Sequence, residues 1–105
     1  MHLDATTDDL HYIVEARFSF GRDARCNFHL DDPMVSRLHA NLEVDAQNRT
    51  RIVDLTSRNG VFVNGERVVD EQYLQHLDVF TLGRSNFRFF EAAAYVDSNL
   101  GFSPP

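Results

Sequence analysis

This chain is a series of short apolar, strand-like runs separated by polar breaks, and no stretch keeps a helical period over three turns. Ala40-Asn41-Leu42-Glu43-Val44-Asp45 is the clearest case and predicts a half-buried strand. Gln47-Asn48-Arg49 predicts a turn, after which Arg51-Ile52-Val53-Asp54-Leu55 returns. Upstream, His11–Ala16, Arg17–Phe20 and Asn27–Leu30 are short β-branched or aromatic runs separated by polar breaks. Val61-Phe62-Val63, Asn64-Gly65 and Arg67-Val68-Val69 predict a tight hairpin, because Asn-Gly tolerates the two left-handed residues such a turn needs. Asp70–His76 reads as a longer connection, and Val79–Leu82 and Asn86–Glu91 form a last pair around Gly83-Arg84-Ser85. Short strands broken this often predict an all-β antiparallel sandwich. From about Ala92 the alternation stops, so we place the sandwich in residues 1–95 and a tail or linker in 96–105. Such a module is expected to be joined to something longer.

Composition narrows the class. One domain with a real core is expected from 105 residues, and 43% hydrophobic content argues against wholesale disorder. No apolar run approaches a membrane span, and Met1–Ala5 lacks the features of a signal peptide. A single Cys26 cannot build a disulfide framework, which favours a reducing cytoplasm. Net charge is −6 and all ten basic residues are arginine, which removes lysine chemistry and makes a nucleic-acid backbone a poor partner. The five histidines have no metal spacing, so neither metal nor cofactor is expected.

Three polar clusters stand at the ends of strand-like runs: Gly21-Arg22, Ser36-Arg37-Leu38-His39 and Ser57-Arg58-Asn59-Gly60. Each offers hydrogen-bond donors: guanidinium forks, a hydroxyl or a carboxamide. A β-sandwich would bring such distant loops together at one end, where converging donors suit a compact polyanion such as a phosphate on a peptide.

In this order, and with Val63-Asn64 and Asp78-x-Phe80-x-Leu82-Gly83 following, the clusters resemble the forkhead-associated (FHA) domain family over roughly residues 17–90. The resemblance implies a sandwich of about eleven strands that binds phosphothreonine peptides at one end and acts downstream of a Ser/Thr kinase. It implies that Arg22, Ser36 and Arg58 contact the phosphate and that Arg37 and Asn59 contact the peptide. Gly21, His39 and Gly60 would be structural loop residues. Three positions depart from the family pattern: Arg58 replaces a small hydroxylated residue, Val61 a Thr, and Leu77 a Gly before the Asp.

Two other classes compete with that reading. A hydrolase could use Ser36, His39 and an acid such as Asp54, but no nucleophile elbow or oxyanion hole is visible. Alternatively, the same fold could serve phosphate-independent interaction or oligomerisation, with the pocket idle. Thr6 and Thr7, set among acidic residues, are further candidate phosphosites that could fold back on the pocket.

Overall fold

The computed structural model describes residues 10–12, 16–91 and 95–97. Nine strands lie within the continuous stretch: β2 (Arg17–Gly21), β3 (Phe28–His29), β4 (Ala40–Val44), β5 (Thr50–Asp54), β6 (Val61–Val63), β7 (Glu66–Arg67), β8 (Glu71–Tyr73), β9 (Val79–Leu82) and β10 (Ser85–Phe90). Two outer strands, β1 (Leu10–Tyr12) and β11 (Tyr95–Asp97), pair with each other and extend the sheet beyond β10. One sheet runs β1-β11-β10-β9-β6-β7 and the other β3-β2-β4-β5-β8. No helix occurs among the described residues, and the two sheets face each other as a sandwich.

The alternation read from the sequence becomes the inside and outside of these sheets. Ala40 and Leu42 of β4, Ile52 of β5, Val61 and Val63 of β6, and Phe80 and Leu82 of β9 all point into the core. Their intervening neighbours lie on the opposite face, as pleating requires, although Asn41 there is itself buried. Phe20 and Phe28 from one sheet meet Phe80 and Phe87 from the other, with ring centroids 5.1 to 5.7 Å apart. Edge-to-face and offset pairs of this kind each contribute about 0.5–1.5 kcal/mol beyond the area they bury. The next residue after Phe20 is Gly21, so the aromatic cluster lies directly beneath the first polar loop.

Three local expectations are corrected. The sheets are not wholly antiparallel: β2 and β3 run parallel, with Phe20 opposite Phe28 and Gly21 opposite His29. The 70–76 connection contains β8, which crosses to the other sheet and pairs with β5 (Ile52 opposite Gln72). Val96 and Asp97, assigned to a tail, belong to β11, so pairing continues past the boundary drawn at 95. Residues 98–105 lie outside the described residues.

Turn chemistry explains how the sheets are strung together. Asn64 (φ 50°) and Gly65 (φ 85°) form the two left-handed residues of the β6–β7 hairpin. The Asn64 carboxamide also donates to Asp78 Oδ1 at 3.0 Å and accepts the Val79 amide at 3.0 Å, which fixes the approach to β9. Leu77, one of the three departures from the pattern the sequence resembles, holds φ 73° and keeps its amide bonded to the Phe89 carbonyl.

Candidate functional site

The three polar clusters meet at one end of the sandwich, joined by hydrogen bonds rather than by sequence. The Arg22 amide donates to the Ser36 carbonyl at 3.0 Å, while Arg22 Nε donates to the Val35 carbonyl at 2.9 Å. The Arg58 amide donates to Ser36 Oγ at 3.0 Å, and Asn59 Nδ2 donates to the Met34 carbonyl at 2.8 Å. Ser36 therefore stands at the junction of all three loops. Its hydroxyl oxygen accepts from Arg58, which leaves the hydroxyl proton available to an incoming acceptor.

Beneath the junction lies His39, with no exposed surface. Its Nδ1 accepts the Ser36 amide at 2.9 Å, and its Nε2 lies 2.8 Å from the Gly60 carbonyl. A carbonyl only accepts, so Nε2 carries the proton and the ring is the neutral Nε2–H tautomer. One ring thus pins the second loop to the third. The Gly60 amide donates to Ser57 Oγ at 3.0 Å, and the Ser57 amide donates to Asp54 Oδ1 at 2.9 Å. Gly60 itself sits at φ 86°, a region that L side chains rarely adopt. Just before Ser57, Thr56 holds φ 60°, a strained setting for a β-branched residue.

Gly21 is required by close approach rather than by torsion. A Cβ there would fall 2.0 Å from the Arg37 carbonyl oxygen, so only glycine lets the first loop meet the second. That carbonyl accepts the Asp23 amide at 3.1 Å and the Cys26 thiol at 3.4 Å. Burial pushes the Cys26 thiol up, with Asp23 adding to the effect. At the rim of this loop, the Asp23 carboxyl is held far below the usual carboxylate range by the Arg25 guanidinium.

Of the predicted site residues, Arg22 and Arg58 are bonded directly to Ser36, Asn59 is bonded to Met34 of the same loop, and Gly21, His39 and Gly60 hold the loops around them. The Arg37 side chain is exposed, and its backbone supplies the contact with Gly21 and Asp23. Thr6 and Thr7 lie outside the described residues. Asp54, the acid of the hydrolase reading, is spent on the Ser57 amide. Neither ring nitrogen of His39 faces the Ser36 hydroxyl, because both are taken by backbone groups.

Asp32 was not singled out in the sequence. It is buried and accepts the Met34 amide at 2.8 Å through Oδ1 and the Arg84 amide at 2.7 Å through Oδ2. It thereby ties the Ser36 loop to the β9–β10 turn of the opposite sheet. The Asp32-x-Met34 spacing of a side chain bonding two residues on was a local signal for it; the Arg84 partner had none.

The comparisons give the family. The FHA domain family model matches residues 18–83, and the chain belongs to that family. It is 34% identical over 90 residues to the DNA damage response protein kinase DUN1 of Saccharomyces cerevisiae, covering 78% of this chain and 17% of the kinase. The structure is similar to Mycobacterium tuberculosis EmbR in complex with a low-affinity phosphopeptide: TM-score 0.70, 27% identity, 88% of this chain and 22% of that one. It is also similar to an FHA domain from a study of phosphothreonine-dependent FHA interactions: TM-score 0.65, 30% identity, 89% of this chain and 83% of that one. The chain therefore spans a small part of the kinase and of EmbR.

Proposed function

We propose that this domain is a non-enzymatic module that binds phosphothreonine-containing peptides or proteins downstream of a Ser/Thr kinase. One observation carries the reading: hydrogen bonds to the Ser36 loop, at Ser36 and Met34, hold Arg22 of the first loop together with Arg58 and Asn59 of the third. A phosphothreonine brings about −1.5 to −2 charges and three acceptor oxygens. Arg22 keeps its terminal guanidinium nitrogens for the phosphate while Nε is anchored on Val35. Ser36 adds a hydroxyl donor, Arg58 adds charge, and Asn59 and Arg37 are assigned to the peptide itself. The EmbR complex, a phosphopeptide on a protein of similar fold, supports the same ligand class.

The test is titration of a phosphothreonine peptide library, its unphosphorylated twin and a phosphoserine set, against the wild type and Arg22→Ala. Binding is expected only with phosphate, tighter for phosphothreonine, and weakened by about 2–3 kcal/mol in the variant, the scale of a charge-assisted contact. Equal affinity for the unphosphorylated twin would instead support the phosphate-independent reading.

A further inference from the structure

The arginines differ in what faces their guanidinium groups. Arg17, Arg25, Arg49 and Arg51 each lie within 4 Å of a carboxylate, at 3.6, 2.7, 3.1 and 2.9 Å from Glu43, Asp23, Asp45 and Glu43 respectively. Arg17, Glu43 and Arg51 form a cross-strand ladder on the outer face of the second sheet, which satisfies itself. Among the described residues, Arg22, Arg37, Arg58, Arg67 and Arg84 have no such carboxylate. Three of them belong to the site loops, and the Arg84 amide is bonded to Asp32. Arg67 is the one whose place the sequence does not suggest.

Arg67 lies on edge strand β7, opposite Phe62 of β6. Gly60 immediately precedes β6, two residues before Phe62. A Cβ built on Gly60 would fall 2.9 Å from both Cζ and Nε of Arg67. The guanidinium thus occupies the space that the missing side chain leaves. Gly60 is itself fixed by His39 and Ser57, and its chain neighbour is Asn59. The fold therefore holds a cation beside the predicted peptide contact. Among the described residues, no carboxylate lies within 4 Å of it.

We propose that Arg67 is a further ligand-binding residue, which reads a second anionic group on the peptide close to the phosphothreonine on the Asn59 side. The group is an acidic side chain or a second phosphate. This deepens the phosphothreonine reading and rests on it.

Calorimetric titration of the full chain with three peptide sets tests the assignment. One set has neutral flanks, one carries a single Glu scanned through the flanking positions, and one carries a second phosphate at those positions. At one or two positions the acidic peptide should bind wild type about two- to fivefold tighter than the neutral one, the scale of an exposed ion pair. A larger gain for the second phosphate would identify phosphate as the preferred anion, and an equal gain would identify either. In Arg67→Gln the ratio of acidic to neutral affinity should fall to about one, whereas Arg17→Gln, on the self-paired ladder, should keep it. In Arg67→Glu, Lys at the same peptide position should become favourable. Phosphate-dependent binding with a flat acidic scan, or a ratio that survives Arg67→Gln, overturns the assignment of Arg67 alone. Absence of binding by every phosphothreonine peptide overturns the site itself and this proposal with it.

Discussion

Replacing His39 with Ala separates what holds the site from what touches the ligand. The ring is fully buried, and its two nitrogens satisfy the Ser36 amide at 2.9 Å and the Gly60 carbonyl at 2.8 Å. Removal leaves both backbone groups without their partner and opens a cavity beneath the loops. Each orphaned group costs about 1–3 kcal/mol, and partial collapse or water entry offsets part of the sum, so we expect a loss of about 3–5 kcal/mol. That is a large fraction of the roughly 5–15 kcal/mol available to a small domain. His39→Asn keeps a short acceptor for Ser36 but cannot span to Gly60, and should fall between wild type and Ala. Urea unfolding followed by fluorescence gives the stabilities, and phosphothreonine-peptide titration in the folded baseline gives the affinities. Binding should weaken in both variants, in the order of their stability losses, because Arg58 and Asn59 no longer keep their register with Ser36. A loss below about 1 kcal/mol in His39→Ala would refute the reasoning, since two buried polar groups cannot be orphaned so cheaply.

Three further outcomes follow from the same geometry. Leu77 holds φ 73° with its side chain half exposed, so Leu77→Gly should be more stable than Leu77→Ala in urea, by about 1 kcal/mol. The reverse order would mean that the torsion is unstrained. The Asp45 carboxyl is held below the usual range, chiefly by the Arg49 amide and also by the Tyr73 hydroxyl, the Gln47 amide and the Arg49 charge, against a smaller opposing effect of burial. Its ionised form therefore stabilises the fold above the ordinary carboxylate pKa of about 4, and that contribution is lost as pH falls through the lower folded value. Urea midpoints between about pH 2 and 6 should fall less steeply in Asp45→Asn, and parallel acid limbs would contradict the assignment. Cys26 is buried, donates to the Arg37 carbonyl and has its thiol pKa raised by burial. Its alkylation should be slow in the native protein and fast in urea, and equal rates would show the second loop to be open.

How much of this was legible along the chain depended on whether a position's neighbours were local. β4, β5, β9 and the β6–β7 hairpin could be read because alternation and turn residues act within a few positions. The three polar clusters could be read because their residue types, order and strand-end placement survive without coordinates. β8 could not, because Glu71, Gln72 and Tyr73 are all exposed and only backbone bonds to β5 make them a strand. The parallel course of β3 and the pairing of β11 are set by which edge remains open once the sheets have formed. His39 could be read as structural, but its bond to Gly60 reaches across 21 residues and exists only when the two sheets are stacked. The buried link from Asp32 to the Arg84 amide, and the guanidinium of Arg67 in the space over Gly60, depend on the same stacking. Residue type and local spacing determined which groups this protein can present. Long-range register and close packing decided which of them meet, because those distances are set by the whole sandwich and by no short segment of it.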